Sequence, residues 1–360
     1  MDALKEMFNR AYYERLAAAL SMVYPAFPRK NFTAQVCDGL AERSLNQRMR
    51  HTSVVMHACL PGPYLINLDI LKHVVPNMPG GYTTLVFPDY VAQYGLSHFN
   101  LSMEALAYFT TFGSSEFAVR EFLKQDFTRA IGIMEKWSKH QNHHVRRLAS
   151  EGSRPRLPWS FKLDAVLQEP SRTKKILENL KSDAELYVRK SVANHLNDLS
   201  KEHKNYMLRL VNTWDLENPH TAWIVKHASR NLIKKGDAAG LEIFKFEKNP
   251  KVQVSGLRLH KSRLRIGEAL EFHVVLVSLK KQSQKLVVDY VIHYRKKLGE
   301  LSPKVFKLKE FHLAPKAEVR LHKKQWLKDF TTRKHYAGKH RLDIQVNGKC
   351  MASCEFQLSV

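Results

Sequence analysis

The sequence predicts a multidomain chain in which an all-α solenoid of HEAT-like helical repeats precedes an all-β sandwich. Helical spacing of apolar residues dominates the first 240 residues, and a short basic motif recurs within them. From about residue 250 onward, short runs with period-two alternation take over. A length of 360 residues also favours two domains. We therefore expect a helical domain over residues 1–240, a linker over 237–252 and a sandwich over 250–360.

The N-terminal part has the periodicity of amphipathic helices. Residues 2–23 carry apolar side chains three and four positions apart, which predicts one helix ended by Tyr24 and Pro25. Further helical patterns cover about 32–45, 48–59 and 65–75, and proline and glycine residues interrupt them.

A basic motif recurs along the rest of the helical region. An apolar residue, usually valine, is followed by one or two basic residues at Val119, Val145, Val188 and Val225. The intervals of 26, 43 and 37 residues are centred on the length of a helical hairpin. We expect each motif to begin the second helix of a hairpin, so that stacking lines the basic residues along one edge as a track for phosphates. Taken singly, each basic residue could instead belong to a solvated helix face.

The C-terminal part has the alternation of a sandwich. A hairpin with a type I′ turn is predicted at Asn347-Gly348, because both central residues of that turn need positive φ. Seven strands are predicted, at 257–260, 270–279, 285–294, 305–312, 318–322, 341–346 and 350–358.

The charge of the chain predicts a polyanionic partner. Lysine and arginine number 58 against 34 acidic residues, a formal net charge of +24. Residues 249–360 alone hold 24 basic and 9 acidic residues, or +15. Four scattered cysteines fit a reducing cytosol, and we expect no membrane span.

Common catalytic motifs are missing from the sequence. The 18 histidines lack convincing metal-ligand spacing, and neither a GxxxxGK loop nor a GxSxG elbow occurs. Three other residues are candidates. Glu116 follows two serines that resemble a helix cap, Asp198 lies near a helix C-terminus, where a carboxylate is unfavourable, and Trp159 follows an arginine-rich loop. Each also has a structural interpretation, as a helix-dipole partner or a core residue.

Four segments carry a resemblance to a known family. They are SSEFAVRE (114–121), HHVRRLASEGSRPRLPW (143–159), YVRKSVANHLNDLSK (187–201) and AWIVKHASRNLIKKGD (222–237). These segments resemble the HEAT-like-repeat DNA alkylation repair glycosylases of the AlkC group. RLRIGEALEF (263–272), LVVDYVIHY (286–294), LSPKVFKLKE (301–310) and TTRKHYAGKH (331–340) are similar to the immunoglobulin-like domain of that group.

The resemblance implies a monofunctional DNA glycosylase of the bacterial cytosol. It would act in base excision repair on duplex DNA, removing cationic bases such as 3-methyladenine and 3-methylcytosine. It would be a monomer that needs no metal or cofactor and binds no membrane. By resemblance, Glu116 and Asp198 are the catalytic acids and Trp159 the aromatic wall beside the lesion. The DNA-binding residues implied are Arg120, Arg146, Arg147, Arg154, Arg156, Arg189, Lys190, Lys226 and Arg230.

Two alternatives remain open from the sequence. Glu121 stands where the family pattern has proline, which leaves Glu121 and Glu151 as competing carboxylates. The chain could also be a non-catalytic helical-repeat scaffold that binds DNA or protein, in which the acidic residues are structural.

Overall fold

The chain folds into two compact units. The computed structural model describes residues 2–329 and 334–360, and the units are Met1–Ala228 and Ser229–Val360. The sequence places the end of the helical domain at 240, whereas the structure groups residues from Ser229 onward with the strands. Apolar contacts explain this difference, because Ile233, Leu241 and Phe246 form a small cluster with Val287 of the second unit.

The first half of the helical unit contains α1 (Asp2–Lys5), α2 (Arg10–Val23), α3 (Arg29–Cys37), α4 (Leu45–Cys59), α5 (Tyr64–Val74), α6 (Val86–Tyr94) and α7 (Phe99–Phe109). Short 3-10 helices lie at Val75–Asn77, Tyr82–Leu85 and Leu96–His98. The single helix predicted over 2–23 is wrong, because the Asn9 side chain accepts a hydrogen bond from the Tyr12 amide and starts a new helix.

The second half of this unit contains α8 (Val119–Gln125), α9 (Phe127–Trp137), α10 (His143–Gly152), α11 (Asp164–Gln168), α12 (Lys174–Leu180), α13 (Leu186–Leu199), α14 (Lys204–Asn212) and α15 (Pro219–Ala228). A 3-10 helix lies at Pro170–Thr173. Among the described residues, no helix is by itself long and apolar enough to span a membrane. One pair reaches that length only across a bend of 118°, namely Leu45–Cys59 with Tyr64–Asn77.

The four motif valines all contribute to the core. Val119, Val145 and Val188 lie in the first turns of α8, α10 and α13, as predicted, and all are buried. Val225 is also buried but lies in the second half of α15, so Lys226 belongs to the last turn of that helix. α10 packs against α13, and α13 packs against α15. The assignment of these helices to HEAT-like repeats stays a prediction.

The second unit begins with α16 (Arg230–Lys234) and α17 (Ala238–Ile243) and continues with strands. The predicted linker is therefore partly helical. The strands are β1 (Val252–Leu259), β2 (Arg263–Arg265), β3 (Ala269–Ser278), β4 (Gln284–Arg295), β5 (Leu301–Leu313), β6 (Glu318–Trp326), β7 (Gly338–Val346) and β8 (Lys349–Ser359). They form one sheet of order β1-β3-β6 and another of order β2-β8-β7-β4-β5.

Both sheets contribute side chains to one apolar core, as the sandwich prediction requires. On β3, Leu270, Phe272 and Val274 are buried while the alternate residues face outward. The short β2, which the sequence did not predict, pairs in parallel with β8. Asn347 and Gly348 have φ of 47° and 79°, which confirms the predicted turn between β7 and β8.

Candidate active site

Three acidic residues and two arginines form one row of alternating charge. Arg147 donates from Nη1 to Oε2 of Glu116, and its Nη2 lies 3.5 Å from Oε1 of Glu151. Arg154 donates from Nη1 to the same Glu151 oxygen at 2.7 Å. Arg154 Nη2 also lies 2.8 Å from Oδ2 of Asp198. The structure therefore brings together both predicted acids, Glu116 and Asp198, and places the competing carboxylate Glu151 between them.

This row of charges is largely shielded from solvent. The five side chains are between 3% and 16% exposed. Buried charges are costly unless they are paired, and here each carboxylate has a cationic partner. Lys201 adds a third cation, because its Nζ donates to Oδ1 of Asp198 at 3.0 Å. Burial alone raises the pKa of Glu151, but Arg147 and Arg154 outweigh burial and hold its pKa below the usual value.

The turn before α8, helix α10 with the loop that follows it, and helix α13 supply the row. Arg147 and Glu151 are four residues apart on α10 and share one face of that helix, and Asp198 lies in the last turn of α13, as predicted. Glu116 differs from the prediction, because α8 begins only at Val119 and Glu116 lies in the preceding turn. The Ser114 hydroxyl donates to Glu116 Oε2 at 2.8 Å, so this serine orients the carboxylate without capping α8.

The row borders a cleft of about 400 Å³. Its walls are formed by aromatic rings, carboxylates and guanidinium groups. The lining includes Tyr82, Glu116, Phe117, Arg147, Glu151, Arg154, Trp159 and Tyr187. Asp198 does not line the cleft and is only 2% exposed, so it reaches this space through Arg154.

Trp159 stands at the mouth of the cleft in an unusual backbone conformation. Its φ is 65°, a left-handed conformation that costs a non-glycine residue roughly 1–3 kcal/mol. Its side chain is 58% exposed and meets Tyr82 edge-on, with 6.5 Å between ring centroids. A strained and exposed tryptophan is not a core residue. This geometry suits a surface on which a base could stack.

Arg120 has a structural position and corrects the prediction of a phosphate contact. Its side chain is fully buried. Its guanidinium donates to the carbonyls of Gly152 at 3.0 Å and Arg154 at 2.7 Å, and also to that of Phe161. Burial lowers its pKa to about 10, which still leaves the group charged at neutral pH. Arg120 therefore anchors both sides of the loop that presents Trp159.

Other residues of the predicted basic track are also engaged within the protein. Arg146 forms a two-point ion pair with Asp183 at 2.7 and 3.1 Å. Arg156 contacts Glu202. Arg189 donates to the carbonyls of Asp183 and Ala184. Arg147 and Arg154 pair with carboxylates but also line the cleft, so the DNA contacts predicted for them stay predictions.

The remaining basic residues differ in position. Lys190 on α13 and Lys226 on α15 are exposed, whereas Arg230 is half-buried and belongs to the second unit. DNA contacts of Arg146, Arg156, Arg189, Lys190, Lys226 and Arg230 stay predictions.

Glu121 lies in a different cavity from the other carboxylates. It borders a neighbouring cavity of about 720 Å³, whose lining also includes Arg50, His51, Asp89 and Trp159. Trp159 lines both cavities, together with Leu85, Ser114 and Phe117. Glu151 is therefore the stronger competitor, because it belongs to the row of charges and Glu121 does not.

Sequence reasoning missed three residues in and beside the site, namely Tyr82 and Tyr187 in the lining of the cleft and Lys201 beside Asp198. Tyr187 begins the YVRK motif, and its ring lies 4.9 Å from the Arg147 guanidinium. Lys201 is three residues beyond Asp198, a spacing that permits an ion pair at a helix end. Tyr82 begins a 3-10 helix directly after Gly80 and Gly81, far away in sequence, and no local pattern indicated it.

Comparison with known proteins identifies the two parts of the chain. Residues 104–232 match the family described as DNA alkylation repair enzyme. Residues 253–360 match the family described as uncharacterised protein YhaZ, C-terminal Ig-like domain. The uncharacterised protein YhaZ of Bacillus subtilis strain 168 is 41% identical over 359 residues, which cover 99% of this chain and 100% of the relative.

A solved structure matches the whole chain. It is the alkylpurine DNA glycosylase AlkC of Pseudomonas fluorescens, bound to DNA containing an abasic site analogue. The match has 46% identity and a TM-score of 0.96, and it covers 99% of both chains. The carboxylates, arginines and tryptophan described above lie in the part of the chain that matches the DNA alkylation repair family. Identity of this extent over the full length places the chain in the family of AlkC-type DNA alkylation repair glycosylases.

Proposed function

We propose that this protein hydrolyses the N-glycosidic bond of cationic alkylated bases in duplex DNA, with 3-methyladenine and 3-methylcytosine as substrates. The observation that carries the proposal is the shielded row of Glu116, Glu151 and Asp198 beside an exposed tryptophan. Membership of a family whose solved member is an alkylpurine DNA glycosylase bound to DNA with an abasic site analogue supports it.

The chemistry of the leaving group explains why this reaction does not require a strong general acid. Alkylation of a ring nitrogen gives the base a positive charge, so the base can depart without the protonation that ordinary glycoside hydrolysis requires. The carbon–nitrogen bond electrons leave with the base, and the sugar becomes an oxocarbenium ion. A water molecule that a carboxylate positions then adds to the anomeric carbon and loses a proton, which completes the hydrolysis. Fixed carboxylates near that cation stabilise it most effectively where solvent is excluded.

The carboxylates differ in what they can do. Glu116 and Glu151 line the cleft, so they can approach a sugar directly. The lowered pKa of Glu151 keeps it ionised at neutral pH, which suits stabilisation of a cation better than proton abstraction. Asp198 is covered by Arg154 and Lys201. Its predicted direct role requires Arg154 to shift, and otherwise Asp198 positions Arg154.

The basic second unit fits the same proposal. Contacts to the phosphate backbone over a wide stretch of duplex hold DNA without reading its sequence. The +15 net charge of residues 249–360 can provide such contacts. We therefore assign excision to the helical unit and part of the DNA grip to the sandwich, in a monomer whose catalysis needs no metal or cofactor.

Base release distinguishes this function from a non-catalytic scaffold. A duplex treated with a methylating agent is incubated with the protein, and free bases are separated and quantified. The proposal predicts release of 3-methyladenine and of 3-methylcytosine. If the protein binds DNA but releases neither base, it is a non-catalytic scaffold and the proposed glycosylase activity is refuted.

A further inference from the structure

A cluster of two histidines and one glutamate lies on the outer face of the β1-β3-β6 sheet. Glu271 and His273 are two residues apart on β3 and therefore point to the same side. Their neighbours Leu270, Phe272 and Val274 are buried, so this side is the outer one. His322 on β6 is the direct cross-strand partner of His273. The strand register alone thus gathers the three side chains, which we call the His–Glu cluster.

The distances within the His–Glu cluster suit a metal ion. His322 Nε2 lies 2.7 Å from Oε1 of Glu271, and the rings of His273 and His322 stack with 4.5 Å between centroids. One ligand atom from each residue lies within 4.8 Å of the others. In a tetrahedral zinc site, ligand atoms are about 3.4 Å apart when each is about 2.1 Å from the ion. Small side-chain rotations would bring the three atoms to that spacing.

We propose that the His–Glu cluster binds one divalent transition-metal ion, with zinc as the best fit. Two neutral imidazoles and one carboxylate are a donor set for zinc, nickel or copper, whereas magnesium and calcium require several oxygen ligands. Three protein ligands leave the fourth position of a tetrahedron for water.

The surrounding charges narrow the choice of ion further. Arg258 on β1 is the cross-strand partner of His273, and Lys324 on β6 is the partner of Glu271. The positive charges of Arg258 and Lys324 repel a metal ion, so the negative charge of Glu271 alone would not hold one. Metal binding therefore depends on the imidazole nitrogens of His273 and His322. Magnesium is excluded because it prefers oxygen ligands, and the two nearby positive charges limit the affinity for zinc.

Calorimetry with zinc chloride tests the site. The full chain, without a polyhistidine tag, is stripped with a chelator, and metal-free protein is titrated with zinc. We expect one zinc ion per chain at the cluster, an affinity weakened at least about tenfold by His273→Ala or His322→Ala, and no uptake of magnesium. Cobalt at the same site should give the visible absorption of tetrahedral coordination.

His312→Ala is the matched control, because His312 is exposed on β5 in the other sheet. This variant should bind zinc like the unaltered chain. The combined variant Glu271→Gln/His273→Ala/His322→Ala changes only outward-facing side chains, whose contacts are exposed, so its metal-free melting temperature should change little. The proposal is overturned if the unaltered chain binds no zinc, or if the combined variant binds zinc with unchanged stoichiometry and affinity. This readout involves no DNA, so it is independent of the proposed glycosylase activity.

Discussion

Replacing Arg154 with methionine removes the cation between Glu151 and Asp198. The guanidinium contacts both carboxylates at 2.7 and 2.8 Å, and all three side chains are less than 10% exposed. Breaking a buried ion pair by deleting one partner typically costs roughly 3–5 kcal/mol, because the remaining charge stays buried. Here Glu151 keeps Arg147 at 3.5 Å and Asp198 keeps Lys201 at 3.0 Å. We therefore expect the lower end, about 3 kcal/mol.

The loss should be visible in thermal and urea unfolding of the helical unit. For a unit of this size, 1 kcal/mol corresponds to about 2–4 °C, so Arg154→Met should lower the melting temperature by about 6–12 °C. The effect should also depend on pH. The folded pKa of Glu151 lies below its usual value of 4.5, so its pairing stabilises the fold above that pH and is lost as the pH falls through the folded pKa. The two proteins should therefore converge in stability as the pH falls further below 4.5.

Arg156→Met is the matched control in the same loop. Arg156 pairs with Glu202, but the two side chains are 31% and 37% exposed. Such a pair contributes about 0–1 kcal/mol. If Arg154→Met and Arg156→Met unfold within about 1 kcal/mol of each other at pH 7, the row of charges is not the stabilising feature that we describe.

Three further substitutions test separate parts of the account. Trp159→Ala should change stability by less than about 1 kcal/mol while lowering single-turnover excision at least tenfold, and equal excision would exclude the stacking role. Arg120→Met leaves the carbonyls of Gly152, Arg154 and Phe161 without this donor. It should therefore cost at least about 1–3 kcal/mol in urea unfolding yet leave the salt dependence of DNA binding unchanged. If the slope of the logarithm of DNA affinity against the logarithm of salt concentration became shallower by about one in this variant, Arg120 would be a phosphate contact after all. Burial lowers the pKa of His195 to about 4 from 6.5. The unfolded chain therefore binds the extra proton as pH falls, and stability should drop by about 2 kcal/mol between pH 7 and 5. His195→Gln should remove that part of the pH dependence, and an unchanged profile would contradict the assignment.

The sequence predicted most of the architecture, because periodicity reports directly on which face of an element is buried. The valines Val119, Val145 and Val188 mark three helix starts, and the Asn347-Gly348 turn is confirmed by two positive φ angles. Local capping was less predictable. Asn9 divides the first predicted helix, and the apolar contacts of Leu241 draw a predicted linker into the second unit.

The acidic residues of the site were predictable, but the function of the arginines was not. Glu116, Glu151 and Asp198 all occur in the segments that resemble the family. A basic motif, however, does not reveal whether an arginine faces solvent or a buried carbonyl. The partners of Arg120 and Arg154 lie more than 30 residues away in the sequence, at Gly152 and Asp198. Only the fold brings these partners together, so a local sequence pattern cannot reveal them.

We propose that the carboxylates of this row stabilise the sugar cation as the alkylated base departs. Single-turnover release of 3-methyladenine tests it most directly, measured with saturating Glu116→Gln, Glu151→Gln and Asp198→Asn proteins beside the unaltered chain. We expect Glu116→Gln and Asp198→Asn to lose at least about a hundredfold in rate, a loss of the size seen when one electrostatic group is removed. Glu151→Gln should also be slowed, and all three should retain most of their DNA affinity. Unaltered rates in both Glu116→Gln and Asp198→Asn would contradict the account.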